Sequence, residues 1–156
     1  MRSTADILDA HPVEAQVCGL VLHQFGGVSS FAGPISTVLC HEDNVVLKRH
    51  LGEAGEARVL VVDGGGSVRV ALLGEMVASL AVENGWAGVV LNACVRDAAA
   101  LRELDVGIKA LGTNPRPSGK TGAGEVDVVV EFGGVTFRPG AMLYSDDDGV
   151  VALDQG

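Results

Sequence analysis

Val59-Leu60-Val61-Val62 is an unbroken apolar run, closed by Asp63 and then by Gly64-Gly65-Gly66-Ser67. A short run without polar alternation marks a strand covered on both faces, as in parallel sheets. The glycine cluster that ends it demands a turn. Ala87-Gly88-Val89-Val90-Leu91 repeats the signal, and Ile108-Lys109-Ala110-Leu111, interrupted by one lysine, is read as a third strand. Between these runs the period changes. Met76, Val77, Leu80 and Ala81 share one face of a helix predicted over Glu75 to Asn84, with Gly85 placed to stop it. A helical turn through Leu101 and Leu104 is predicted before the third strand. From Val59 to Leu111 the alternation predicts a parallel β-α-β-α-β unit.

On the N-terminal side, Ser3-Thr4-Ala5-Asp6 before Ile7-Leu8 reads as a capped short helix. Val17 to Leu22 and Ile35 to Cys40 are predicted strands separated by a glycine-punctuated loop. Asn44 is the predicted cap of a helix carrying Val45, Val46, Leu47 and Leu51. After Asn114 the pattern is that of a Pro/Gly/Ser loop to Gly124. Short strands then follow at Val126–Phe132, Val135–Phe137, Met142–Tyr144 and Val150–Leu153, with turns at Gly133-Gly134, Pro139-Gly140 and Asp148-Gly149. No repeat or linker divides the chain. The expectation is one α/β domain over residues 1–156, with a parallel centre and a largely β remainder.

Composition changes this picture in three ways. Hydrophobic residues make up 47% of the chain but aromatics only 4%, so the core must be aliphatic. Eleven basic residues against twenty acidic ones give a net charge of −9. Such a surface repels phosphate backbones, which disfavours direct nucleic-acid binding. An anionic ligand would need a local positive site. Cys18, Cys40 and Cys94 are odd in number and widely spaced, which suggests reduced thiols in a cytoplasmic protein. Met1 to Asp6 has no signal-peptide pattern, and no apolar run approaches a membrane span.

Candidate chemistry converges on two places. Gly74-Glu75-Met76-Val77 opens a predicted helix, where free backbone N–H groups favour an anion such as a carboxylate. Arg96-Asp97 follows the next predicted strand, and ligands of open α/β sheets bind beyond the carboxyl ends of strands. An arginine can grip a carboxylate through two parallel bonds, and an aspartate can hold a hard divalent cation. Together they suit a small α-keto acid. The alternative is a solvated Arg-Asp pair with Glu75 as an ordinary first-turn acid.

Other features weigh less. Asn114 to Thr121 is a near miss to a phosphate-binding loop, but Gly122-Ala123-Gly124 and a strand follow where a helix is required. Lys120 remains a candidate positive group at the rim. Asp63 to Ser67 could cradle an anion or simply turn the chain. His11, His23, His41 and His50 lack metal-ligand spacing, and Trp86 reads as core. Asp146-Asp147-Asp148 reads as a solvated turn rather than a cation site.

Several motifs occur in order along the chain: Phe31-Ala32-Gly33-Pro34-Ile35-Ser36-Thr37-Val38, Val61-Val62-Asp63-Gly64-Gly65-Gly66-Ser67, Gly85-Trp86-Ala87-Gly88-Val89-Val90, Arg96-Asp97, Phe132-Gly133-Gly134-Val135, Pro139-Gly140 and Asp148-Gly149-Val150. This series resembles the RraA family over nearly the whole length. The resemblance implies a swivelling-type β/β/α domain assembled as a homotrimer. It implies either a class II aldolase acting on 4-hydroxy-4-methyl-2-oxoglutarate, with oxaloacetate decarboxylase activity, or a regulator that binds and inhibits ribonuclease E. In the aldolases an acid stands twenty residues before an Arg-Asp pair, and here twenty residues separate Glu75 from Arg96. The implied roles are Asp97 as ligand of Mg²⁺ or Mn²⁺, Glu75 orienting its waters, Arg96 stabilising developing charge, and the amides of Gly74 to Val77 holding substrate. Two positions depart from the aldolase pattern: Glu75 stands where Asp is common, and Ala100 where some members carry an acid. The methyltransferase activity once attributed to such proteins is not expected, because no nucleotide-binding glycine loop at Rossmann spacing is present.

Overall fold

The structure, a computed structural model, describes residues 1–154. Its helices are α1 (Thr4–Ala10), α2 (Val45–Leu51), α3 (Glu75–Glu83) and α4 (Ala98–Leu101). Its strands are β1 (Gln16–Val17), β2 (His23–Gln24), β3 (Phe31–Leu39), β4 (Val59–Asp63), β5 (Ala71–Leu73), β6 (Gly88–Asn92) and β7 (Cys94–Val95). They continue as β8 (Gly107–Ala110), β9 (Gly112–Thr113), β10 (Glu125–Val126), β11 (Val130–Phe132), β12 (Val135–Phe137), β13 (Met142–Asp146) and β14 (Gly149–Leu153).

The main sheet runs β1-β14-β13-β3-β4-β6-β8-β2, and β10 pairs with β3. Its centre, β3 to β4 to β6 to β8, is wholly parallel. The parallel unit expected from Val59 onward thus begins one strand earlier, at β3. Val59 to Val62 are fully buried, and their side chains alternate between two cores. Leu60 and Val62 join Leu47, Leu51, Ala78 and Ala81 beneath α2 and α3. Val59 and Val61 join Phe132, Phe137 and Leu143 beneath the β11–β12 hairpin and β13. Each fully buried Val or Leu removes enough apolar surface to contribute roughly 1.5–3 kcal/mol. The three layers are therefore β, β and α, as the α/β swivelling fold requires. Phe31 of β3 lies across β6 and β8 where both carry glycine. A methyl on Gly107 would stand 2.0 Å from the Phe31 ring, so only glycine leaves room there.

After three of the four parallel strands the chain turns and resumes as a shorter strand. Thus β4 leads to β5, β6 to β7 and β8 to β9, and these form a second parallel sheet in the order β5-β7-β9. β5 lies in the apolar run Val70-Ala71-Leu72-Leu73, which the expectations above left unassigned between the glycine turn and α3. Among the described residues, no helix is long and apolar enough to cross a membrane.

Several local expectations need correction. The segment Val17–Leu22 is mostly irregular, with only Gln16–Val17 and His23–Gln24 in strands. Val126–Phe132 is broken at Asp127, which takes a left-handed conformation (φ 53°) and splits it into β10 and β11. Asn44 occupies the cap position of α2 but its side chain makes no capping bond. Its amide instead donates to the Leu72 carbonyl (3.0 Å), and Asp43 Oδ1 accepts from the Val45 amide (3.2 Å). Met76 is 80% exposed, because the buried face of α3 runs through Val77, Ala78 and Ala81. Ser3 caps α1 as expected, accepting from the Asp6 amide at 3.1 Å. All three cysteines are free and buried. Trp86 is buried, with its indole N–H shared between the Leu51 and Glu53 carbonyls.

Candidate active site

The second sheet carries the candidate residues. Leu73 of β5 pairs with Val95 of β7, so the segments that follow, Gly74-Glu75 and Arg96-Asp97, emerge side by side. The Arg96 amide donates to the Leu73 carbonyl at 2.9 Å and fixes their register. Asp97 is left-handed (φ 59°, ψ 41°), a conformation that few residues with side chains adopt, Asp and Asn being the usual exceptions. It stands at the cap of α4, yet its carboxylate does not cap that helix. Asp97 Oδ2 instead accepts the Glu75 amide of α3 at 2.9 Å. The α3 N-terminus thus holds an anion supplied by the protein itself.

That contact refines the expectation for residues 74–77. One first-turn amide, that of Glu75, is already occupied. The amides of Met76 and Val77 have no acceptor among the described residues. The Glu75 carboxylate is exposed and makes no hydrogen bond; what meets Asp97 is its backbone. Gly74 allows this approach, since a Cβ there would lie 2.7 Å from Asp97 Oδ2 and 3.2 Å from Arg96 Cγ. The Arg96 guanidinium makes one long contact, 3.4 Å to the Pro115 carbonyl.

These groups border a cavity of about 650 Å³ between α2, α3 and the Pro117–Lys120 loop. This size suits a small organic ligand. Lys120 reaches it, as its place in the loop suggested. Its ammonium donates to Asn44 Oδ1 (2.6 Å) and Ser118 Oγ (3.3 Å), both neutral, so its charge is not cancelled. The loop is anchored by Asp43, whose carboxylate accepts from the Thr121 amide and hydroxyl and from the Gly122 amide. Burial pushes the Asp43 pKa up, but these bonds and that from Val45 outweigh it and leave it below the ordinary aspartate value. Asn44, Lys48 and Arg49 of the α2 region also line the cavity. Sequence reading missed them as site residues, because basic residues late in a helix read as ordinary helix-end charges.

The remaining candidates lie elsewhere. Asp63 Oδ1 accepts from the Gly65 amide and from Asn92, so the glycine run is a turn that leads into β5 rather than opening a helix. The Asn114–Thr121 segment likewise runs on to β10, not to a helix. Asp146 is held by Thr4, which donates through amide and hydroxyl. Buried His50 has Nε2 2.7 Å from Ser36 Oγ and Nδ1 3.2 Å from the Glu53 carboxylate, a structural tie between α2 and β3. No group of three or more His, Cys, Asp or Glu is arranged as a metal cage among the described residues. Asp97 suits a different kind of cation site. Its Oδ1 accepts no bond from the protein, and Mg²⁺ typically takes one or two carboxylates with water and substrate oxygens completing its shell.

A three-layer β/β/α domain with an anion-supplied helix start beside an Arg-Asp pair defines the class of protein. Residues 4–152 match the family described as RraA-like, Aldolase/RraA, and the chain belongs to that family. It is similar to a Geobacillus kaustophilus structure described as an S-adenosylmethionine:2-dimethylmenaquinone methyltransferase (47% identity, TM-score 0.97, covering 99% of this chain and 96% of that one). It is also similar to the RNA-processing inhibitor RraA from Thermus thermophilus (44% identity, TM-score 0.95, covering 98% and 93%). A Streptomyces coelicolor protein described as an unusual member of the RNase ES inhibitor RraA family is 29% identical (TM-score 0.80, covering 98% and 80%).

Proposed function

We propose that this chain is a divalent-metal-dependent lyase of α-keto acids, cleaving 4-hydroxy-4-methyl-2-oxoglutarate to pyruvate and decarboxylating oxaloacetate. The observation that carries the reading is the seating of Asp97 on the Glu75 amide, beside Arg96 and at the mouth of a cavity. Asp97 would hold the cation through its free oxygen, and Glu75 would orient water around it. The cation, Mg²⁺ or Mn²⁺, supplies Lewis-acid polarisation of the substrate's 2-keto group when bound. Arg96 and the Met76 and Val77 amides bind the adjacent carboxylate and hold the substrate for bond cleavage. Arg96 also faces the negative charge that develops on the keto oxygen as the C–C bond breaks. Aldol cleavage, once the C4 hydroxyl has given its proton to solvent water, and decarboxylation, as CO2 departs, both leave that charge, so one arrangement stabilises both. Methyl transfer has no such support: the glycine run after β4 offers no helix start for a nucleotide.

A second reading rests on the Thermus and Streptomyces relatives, which are described as inhibitors of RNA processing and of RNase ES. On it, the acidic surface binds a ribonuclease. The test is pyruvate release from oxaloacetate by purified protein with Mg²⁺. Turnover abolished by EDTA and by Asp97→Ala supports the lyase. Absent turnover, together with inhibition of ribonuclease E cleavage, would favour the regulator instead.

A further inference from the structure

Helix α2 presents two faces. Val46, Leu47, His50 and Leu51 are buried against the sheet. Val45, Lys48, Arg49 and Gly52 fall at i, i+3, i+4 and i+7, the spacing of a single helical stripe, and all four line the cavity. The stripe that would ordinarily face open solvent therefore lines the same cavity as Gly74 and Asp97. Lys48 and Arg49 make no ion pair and donate no side-chain hydrogen bond among the described residues. By contrast, Arg69 pairs with Glu42 and Arg138 with Asp154. With Arg96 and Lys120, four of the eleven basic residues line this one cavity, against only Glu75 and Asp97 of the twenty acids. The cavity lining thus carries 4 − 2 = +2 in a chain of net charge −9. The lining also includes apolar Leu72, Leu73 and Val77, which strengthens charge recognition beside them.

We propose that Lys48 and Arg49 recognise a second carboxylate, at the far end of the ligand from the one held near α3, and so select dicarboxylic over monocarboxylic 2-keto acids. This rests on the keto-acid reading above. The α3 side already has acceptors for one carboxylate in Arg96 and the free amides. One anion would leave the α2 cations unmatched in the cavity. A dianion anchored at both ends matches them and lays the reacting carbons beside the apolar lining. In aldol cleavage this second carboxylate belongs to the departing keto acid, so Lys48 and Arg49 would hold the leaving fragment.

The experiment is calorimetric binding, with Mg²⁺ present, of 2-oxoglutarate and 2-oxopentanoate, which share the 2-keto acid head and differ in the distal carboxylate. Wild-type protein should bind 2-oxoglutarate about tenfold or more tightly, the scale of one or two charge-assisted contacts. Lys48→Gln/Arg49→Gln should lose that preference. Both side chains are exposed, so the variant should fold. Arg2→Gln/Arg102→Gln changes net charge equally, away from the cavity, and should keep the preference. A preference that survives in Lys48→Gln/Arg49→Gln overturns the proposal, as does equal loss in the control. Equal binding of both ligands to wild type overturns it alone and leaves the keto-acid reading standing. Binding of neither removes that reading and this proposal with it.

Discussion

Gly74→Ala separates the site from the fold. At φ −127° the backbone of Gly74 is ordinary for any residue, so alanine meets no conformational strain. The obstacle is space. The new Cβ would lie 2.7 Å from Asp97 Oδ2, closer than carbon and oxygen pack, and 3.2 Å from Arg96 Cγ. Both neighbours are ends or stems of exposed side chains, so they yield before the backbone does. The stability cost is that of a poorer helix cap with a weakened Glu75–Asp97 bond, about 1–2 kcal/mol. For a chain of this size that lowers Tm by roughly 2–8 °C. The functional cost is larger, because the displaced atoms belong to the proposed metal ligand and the proposed anion-binding arginine. Misplacement of order 1 Å at a reacting centre can cost about 10²-fold. The assay is Mg²⁺-dependent oxaloacetate decarboxylation beside thermal unfolding. Gly112→Ala is the control, since a Cβ there meets nothing within 4 Å. Gly74→Ala with activity within about twofold of wild type would refute the argument, because the Asp97 carboxylate would then not need its present position.

Asp97→Asn should abolish turnover yet leave Tm within a few degrees of wild type, since the amide oxygen can still accept from Glu75 and Asn tolerates the left-handed conformation. Gly107→Ala should cost about 1–3 kcal/mol in chemical denaturation, because the methyl intrudes on the Phe31 ring. Asp43 supplies the pH dependence. Its folded pKa is lowered, so its contribution to stability is complete above the unfolded-state value and is lost as pH falls through the folded value. Urea unfolding free energies should therefore fall as pH drops below the ordinary aspartate range, and Asp43→Asn should lessen that fall.

The parallel centre was legible because continuous apolar runs leave few alternatives, and Val59–Val62 lies buried between two layers as its pattern requires. Residues whose role depends on a distant partner were not legible. Asn44 looked like a cap because asparagine before a helix usually is one, but Leu72 and Lys120, far along the chain, claim its side chain. β5 was hidden for the same reason. It is three residues long, and its apolar run Val70-Ala71-Leu72-Leu73 stands directly before a helix start, so only its neighbours β7 and the Pro117 segment mark it as a strand. At the candidate site, spacing brought Gly74-Glu75 and Arg96-Asp97 to one rim. It could not tell that the Glu75 backbone, not its carboxylate, meets Asp97. Nor could it distinguish the cavity face of α2 from a solvated one, since both are polar stripes of the same period.

The left-handed backbone at Asp97 bears on how such a protein can change over evolutionary time. Most side chains cost roughly 1–2 kcal/mol there, but Asp and Asn are the two that tolerate it, and Gly adopts it freely. Within the fold, position 97 is therefore open to Asp, Asn or Gly, and of these only Asp carries a charge. Replacement by Asn would keep the fold, the register of β5 against β7 and the outer surface, and remove only the charge. On the lyase reading, a lineage could abandon catalysis in a single step without passing through an unstable intermediate. Its unchanged surface would remain free to be kept for binding alone.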